Sequence, residues 1–132
     1  MDKFHLQVVT PDGLKFDGEV ESLLVRTDEG DVEFLAKHAD YIASLGTGRA
    51  RIKVDGENRF ASVSGGFVTV SREGIKLVAV TFEFREEIDV ERAKAAMEAA
   101  RAAIAEAKDD RAMCIAETKL KRAINRINVA EL

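Results

Sequence analysis

Four charged residues in the C-terminal third of the chain have the types and the spacing of a phosphate site. Asp89 and Arg92 are three positions apart, and Arg122 and Arg126 are four apart. On an α-helix these spacings place each pair on one face. Converging guanidinium groups bind oxyanions bidentately, and a carboxylate can accept a hydrogen bond from a ligand amino or hydroxyl group. The alternative is that Asp89 only caps a helix and that the arginines are ordinary exposed side chains.

The segment that holds these residues predicts two helices. Glycine and proline are absent after Gly74, and nine of the fifteen residues from 93 to 107 are alanine, the best helix former. Asp89 stands at the N-cap of a helix that begins near Val90, and Asp110 can cap a second helix. Apolar residues recur every three or four positions, which gives each helix one apolar stripe. The stripes are Ala93, Met97, Ala100, Ile104 and Ala107 in the first helix, and Met113, Ala116, Leu120, Ala123 or Ile124, and Ile127 in the second.

Two facing stripes joined by a short turn predict an antiparallel helical hairpin. With the turn near Asp109, Asp89 and Arg92 are brought level with Arg122 and Arg126. The first stripe is mostly alanine and therefore removes little apolar area from water. We expect the hairpin to be only marginally stable by itself, which makes it a candidate for a moving part.

The preceding residues predict a strand-rich domain. Short segments of alternating apolar and polar residues are separated by turn signals at Thr10–Gly13, 28–31, 55–58 and 71–74. Many β-branched strands at this spacing are typical of an antiparallel sandwich or barrel. The predicted fold is α+β, with an antiparallel β-sandwich over residues 1–86 and a two-helix hairpin over residues 87–132.

Charge and composition limit the possible partners. The net charge is −4, divided as −5 over residues 1–87 and +1 over residues 88–132. The second predicted helix carries five bases and one acid, which favours an acidic partner surface or an anion, with a solvated helix face as the alternative. Tryptophan is absent and no aromatic residues interleave the bases, so nucleic acid is not expected as a partner. No apolar run approaches the ~20 residues of a membrane span, and no targeting pattern begins the chain, which predicts a cytosol-like compartment without membrane insertion.

No enzyme site is predicted. The Gly46–Gly48 segment lacks the lysine and the spacing of a phosphate-binding loop, and His5 and His38 have no partner for acid–base chemistry in their segments. The acidic residues between 28 and 33 lack the spacing of a calcium loop. The single cysteine, Cys114, excludes an internal disulfide and paired metal thiolates. We therefore expect no catalytic residue, no metal and no required cofactor in this chain.

Four segments, taken in order, resemble the epsilon subunit of the F-type ATP synthase, in the bacterial type with a C-terminal helical hairpin. They are the opening Val8–Gly13 and Phe16–Ser22, the SGGF segment within Ser64–Val68, and the I-D-x-x-R-A segment Ile88–Ala93. The resemblance covers the full chain. Each motif alone is a weak signal, but their order, followed by a helical tail, is specific.

The resemblance implies a non-catalytic rotor subunit of the central stalk. Such a subunit couples the shaft (the gamma subunit) to the membrane ring of c subunits, and its hairpin, sensitive to ATP, inhibits ATP hydrolysis by contacting the catalytic beta subunits. It implies a peripheral location on the cytoplasmic face of the bacterial plasma membrane. The alternative is a stand-alone ATP-sensing module outside any rotary complex.

The resemblance also implies two sets of site residues. ATP as a regulatory ligand would be bound by Glu83, Asp89, Arg92, Ala93, Arg122 and Arg126. Partner contacts would be made by His38 toward the ring, and by Lys119, Lys121 and Arg122 toward acidic segments of the catalytic subunits.

One loop departs from the pattern of the family, which has GxxGxLPGHAP where this chain has Gly30–Asp40. Glu33 and Lys37 replace two glycines, and Ala36 and Asp40 replace two prolines. Because this loop faces the rotor ring in the family, the ring contact is the feature that the resemblance carries over least safely: we expect either its geometry or the ring surface to differ.

Overall fold

The computed structural model describes residues 2–37 and 39–132. The chain divides into two compact units, Met1–Phe84 and Arg85–Leu132. The first unit is built from strands, and the second contains a short 3₁₀ turn and two helices. The α+β class, with a strand sandwich followed by a helical hairpin, is confirmed.

Eight strands are found in the described part of the first unit, and the predicted turns join them. Thr10 ends the first strand and Gly13 begins the second, and the signals near residues 28, 55 and 71 likewise separate consecutive strands. The strands are β1 (Phe4–Thr10), β2 (Gly13–Val20), β3 (Ser22–Thr27), β4 (Gly30–Leu35), β5 (Tyr41–Ser44), β6 (Gly48–Val54), β7 (Glu57–Ser71) and β8 (Gly74–Phe84).

The strands form one continuous sheet that closes over a single core. Its order is β2-β1-β8-β7-β6-β3-β4, and β5 pairs with β7. The paired strands are antiparallel except for β1 and β8, which run parallel. In strands such as β1 and β8 buried residues alternate with more exposed ones, as the period of two requires, whereas β7 has four consecutive buried residues at 61–64. The largest side chains that are fully buried include Leu6, Leu23, Ile52, Ile75 and Leu77.

The long strand β7 bends the sheet at two glycines. Its first half pairs with β6 and its second half pairs with β5, and the change of partner falls at Gly65–Gly66. Both glycines have positive φ, at 72° and 96°. A β-carbon on Gly66 would overlap the carbonyl oxygen of Val78 on β8, so only glycine allows the two backbones to approach this closely. The SGGF segment is therefore a structural requirement of the bend.

The second unit contains the 3₁₀ turn Arg85–Glu87, helix α1 (Val90–Glu106) and helix α2 (Asp110–Ala130). Asp89 is the N-cap of α1, as predicted. The second helix is capped by Asp109, whose Oδ1 accepts a hydrogen bond of 2.7 Å from the backbone N–H of Ala112. Asp110, the predicted cap, is instead the first residue of α2. Neither helix is long and apolar enough to cross a membrane.

Candidate functional site

Two alanine layers hold the helices of the hairpin together. Ala100 and Ala116 are buried and lie at equal distances from the short connection between the helices, and the same is true of Ala93 and Ala123. Alanine side chains allow helix axes to approach to about 8 Å, the lower end of the usual range. The predicted stripes are confirmed. At the ambiguous position Ala123 is the inward residue, and Ile124 is 37% exposed.

This packing places the three predicted arginines on one side of the hairpin. Arg92 precedes Ala93, and Arg122 precedes Ala123. In two antiparallel right-handed helices, the residues before two facing positions turn toward the same side. Arg126 follows Arg122 by four positions and shares its face. Counted from the helix connection, Arg92 lies within about 3 Å of both other arginines along the hairpin axis, at a rise of about 1.5 Å per residue.

The arginines differ in exposure. Arg92 is exposed, whereas Arg122 and Arg126 are half-buried. Arg122 and Arg126 also have polar contacts within the protein. Partial burial lowers the effective dielectric constant around a guanidinium group and thereby strengthens its attraction for an anion. The arrangement can therefore hold a polyanion such as a phosphate chain along one face of the hairpin.

Asp89 shares this face, because it lies three positions before Arg92. Its Oδ1 accepts a hydrogen bond of 3.1 Å from the backbone N–H of Arg92. The capping role is thus real, and it occupies one of the two carboxylate oxygens. The other oxygen can still accept a hydrogen bond from a ligand.

The two remaining residues of the predicted ATP set have different surroundings. Ala93 is buried, and its N–H donates to the carbonyl of Asp89 at 3.0 Å, so it acts chiefly as the spacer that brings the helices close. Glu83 belongs to the first unit, where it is half-buried on β8 and pairs in register with Ser62 on β7. Its role as an ATP ligand stays a prediction.

The predicted partner contacts are distributed over more than one surface. Lys119 shares the arginine face of α2, because it lies three and seven positions before Arg122 and Arg126. Lys121 is exposed on α2 about 160° away from Lys119 around the helix axis. A single partner surface that contacts Lys119, Lys121 and Arg122 at once would therefore have to surround α2. His38, the predicted ring contact, lies outside the described residues.

Sequence reasoning missed an exposed apolar surface on the outer side of the sandwich. Val9 pairs in register with Leu14 on β2 and with Val78 on β8, and Val78 pairs with Phe67 on β7. Leu14 is 56% exposed and Phe67 is 42% exposed. We call this surface the apolar face; with its diagonal neighbours it comprises Val9, Leu14, Ile42, Phe67, Val78 and Val80. The available signal was the unbroken apolar run Leu77–Val80, which is unusual in a strand with only one buried side.

Metal-binding chemistry finds no support in the described part of the chain, where no three His, Cys, Asp or Glu side chains are grouped to hold a metal ion. Cys114 is exposed and has a free thiol. The charged face of the hairpin and the apolar face of the sandwich, both built from described residues, are surfaces with evident binding chemistry.

Comparison with known proteins extends over both units. Residues 3–85 match the family described as ATP synthase, Delta/Epsilon chain, beta-sandwich domain, and residues 86–131 match the ATP synthase, Delta/Epsilon chain, long alpha-helix domain. The ATP synthase epsilon chain of Bacillus velezensis is 38% identical over 130 residues, covering 98% of both chains. The sodium ion specific epsilon chain of Propionigenium modestum is 36% identical over 132 residues, covering 99% of this chain and 96% of that one.

A solved structure is similar as well. One chain in the cryo-EM structure of the Euglena gracilis mitochondrial ATP synthase, OSCP/F1/c-ring in rotational state 1, superposes with a TM-score of 0.82 at 26% identity. The match covers 98% of this chain and 82% of that chain. The likeness therefore includes the strand unit and the helical unit.

Proposed function

The chain belongs to the ATP synthase epsilon chain family, and on that premise we propose that it is the central-stalk subunit that couples the shaft to the membrane ring and regulates ATP hydrolysis through its hairpin. As a member of this family it is a subunit of the ATP synthase and not a catalytic one. The regulatory role, the individual partners and a position on the cytoplasmic face of the bacterial plasma membrane are the proposed parts. The convergence of Arg92, Arg122 and Arg126 on one side of the hairpin carries the proposal.

The apolar face of the sandwich supports a permanent contact with the shaft. Contiguous exposed apolar residues mark an interaction surface, because a partner that covers them removes apolar area from water. Leu14 and Phe67 lie near its two sides, so a partner would cover strands β2, β1, β8 and β7 together. We assign this face to the gamma subunit, because a subunit that turns with the shaft needs an interface that does not dissociate during rotation.

The hairpin supports a regulated contact. The site for an anion exists only while α1 and α2 are paired, since the arginines come from both helices. A ligand that binds only the paired state stabilises it by about 2.7 kcal/mol at 100 times its dissociation constant. ATP would therefore favour the folded hairpin, and loss of ATP would favour an extended form that presents the basic α2 to acidic segments of the catalytic beta subunits.

Isothermal titration calorimetry of the full chain with ATP tests the ligand. The double substitution Arg122→Ala/Arg126→Ala is expected to abolish the heat of binding, because each guanidinium supplies charged hydrogen bonds to phosphate oxygens. Arg101→Ala is the matched control. Arg101 turns to the opposite side of the hairpin and is paired with Glu98 at 3.1 Å, so ATP binding should persist. Absent heat with the natural sequence, or heat unaffected by the double substitution, contradicts an ATP site.

Truncation after Glu87 tests the regulatory role in the assembled enzyme. Removing the hairpin should raise ATP hydrolysis while leaving the subunit bound through its sandwich. Unchanged hydrolysis contradicts an inhibitory hairpin. Co-purification of the tagged chain with a membrane rotary complex separates this function from that of a stand-alone ATP sensor, which would be recovered without such a complex.

A further inference from the structure

Two buried polar atoms of the sandwich have no hydrogen-bond partner among residues 2–37 and 39–132. They are the hydroxyl oxygen of Ser22 and Nε of Arg51. Ser22 is only 3% exposed, so water reaches its hydroxyl group poorly. Buried polar groups in native proteins are nearly always paired, because an unpaired one has lost its hydrogen bond to water without a replacement. Two such donors in one region therefore point to a group that bridges them.

The strand register places both donors on one outer face of the sandwich. Strand β3 lies between β6 and β4 in the sheet. Ser22 on β3 pairs with Lys53 on β6. Leu24, the next outward residue of β3, pairs with Arg51 on β6 and with Glu33 on β4. The residues that separate these outward positions along β3 and β6 belong to the core, so the side chains named here share the opposite side of the sheet.

The side chain of Arg51 crosses the middle strand. Its Nη2 donates a hydrogen bond of 2.7 Å to Oε1 of Glu33 on the far side of β3. Nε therefore lies over β3 at the level of Leu24. Ser22 is the adjacent outward position of the same strand, about 7 Å away along it. One bridging group can accept from both donors, since two hydrogen bonds of about 3 Å span nearly this distance.

The charges around these donors favour an anion. Arg51 and Lys53 are two cations, and Glu33 is the acid that pairs with Arg51, so the three side chains together carry +1. Lys53 has no side-chain partner in the described part of the chain. Asp55, two positions further along, accepts a hydrogen bond of 2.9 Å from Lys3 instead. The side chain of Arg51 is 28% exposed, and this partial burial strengthens its attraction for an anion.

We propose that Ser22, Arg51 and Lys53 form a binding site for a small tetrahedral oxyanion, with inorganic phosphate as the ligand that fits. The hydroxyl, the Nε–H and the ammonium group are all donors, and an oxyanion accepts from each of them without having to donate. A single water molecule accepts only two hydrogen bonds and must find acceptors for its own two hydrogens. The site lies in the first unit and does not include the arginines of the hairpin. Because phosphate is a product of ATP hydrolysis, its binding here makes the stability of the sandwich depend on phosphate concentration.

The experiment uses the full chain with Arg122→Ala/Arg126→Ala, so that the hairpin arginines do not contribute to phosphate binding. Thermal unfolding of the sandwich is compared in chloride and in inorganic phosphate at equal ionic strength. Phosphate at ten times its dissociation constant should raise the melting temperature by about 5 °C. Ser22→Ala and Lys53→Gln should each remove most of this shift. Lys76→Gln, at an exposed lysine on β8, is the control of equal charge change and should retain it.

Two further readouts separate binding from folding. In chloride, Ser22→Ala should unfold at the natural temperature or above it, because it removes a hydroxyl group that has no partner. The nuclear magnetic resonance signal of the Arg51 Nε–H, assigned with Arg51→Lys, should move to saturation as phosphate is added. A phosphate shift in melting temperature that is equal in every variant would show a general salt effect and overturn the site. An Nε–H signal that phosphate leaves unchanged would also overturn it, with a bridging water as the group that holds these donors.

Discussion

Ala93 in α1 and Ala123 in α2 are both buried at the same level of the hairpin, one on each side of its seam. The pair brings the helices close and fixes Arg92 and Arg122, the residues before them, on a common side. It also limits stability, because a methyl group buries far less apolar area than a leucine side chain. The short distance between the helices and the small apolar area that they bury thus have the same origin.

A larger side chain at this seam should open the hairpin. Ala93→Leu adds volume where the helices touch, and overpacking of this kind costs about 1–3 kcal/mol. We expect less helical circular dichroism in the full chain and weaker ATP binding, with an unchanged unfolding transition of the sandwich. Ala95→Leu, an exposed position of the same helix, is the control and should preserve both properties. Equal behaviour of the two variants would contradict the assigned seam.

Substitutions of Asp89 can separate its two roles. Asp89→Ala removes the cap of α1 and should cost about 1 kcal/mol of hairpin stability. Asp89→Asn keeps a capping oxygen but loses the charge, so the helix should persist. If the second carboxylate oxygen also accepts from the ligand, Asp89→Asn should weaken ATP binding measured by calorimetry while helicity is retained. Asp109→Ala, which removes the equivalent cap of α2, provides the comparison for a purely structural loss.

The bend in β7 should not tolerate a β-carbon. Gly66→Ala meets the Val78 carbonyl at a φ of 96°, so we expect a loss of about 3 kcal/mol or more in the free energy of unfolding. Gly56→Ala also has positive φ, at 82°, but nothing lies within 4 Å of its added methyl group. It should cost only about 1 kcal/mol, from the backbone conformation alone. Urea unfolding of both variants measures the difference, and similar losses would refute the role of close approach.

The apolar face should be required for assembly and not for folding. Phe67→Ser removes an exposed aromatic side chain, so the unfolding midpoint of the isolated chain should change little. Co-purification of the gamma subunit with the chain should fall at least about tenfold, since truncated anchor residues commonly cost 2 kcal/mol or more in binding. Phe60→Ser, on the part of β7 that pairs with β6, is a control from the same strand. Retention of gamma by the Phe67 variant would remove this face as the shaft contact.

Local sequence signals predicted much of the fold. The Asp55–Gly56 turn, the apolar stripes and the Asp89 cap each depend on residues a few positions apart, where side-chain chemistry fixes the backbone directly. The sequence does not decide between Asp109 and Asp110 as the N-cap of α2. A carboxylate at either position can accept a hydrogen bond from the N–H groups of the first turn.

Long-range features could not be predicted in this way. The parallel pairing of β1 with β8 joins strands about seventy residues apart, and alternation along a strand does not indicate its partner. The change of pairing partner along β7 could not be predicted for the same reason, although the two glycines at which it occurs are evident in the sequence. The shared side of Arg92, Arg122 and Arg126 could be predicted, because one local count from the helix connection to each arginine sufficed.

Hydrogen–deuterium exchange of the hairpin amides, with and without ATP, tests the switch most directly. A weakly packed hairpin should exchange much faster than the sandwich core, and saturating ATP should slow the amides of α1 and α2 by about a hundredfold, the equivalent of 2.7 kcal/mol. Sandwich amides should be unaffected. Hairpin amides that exchange as slowly as those of Leu6 and Leu77 without ATP, and at the same rate with it, would contradict the account.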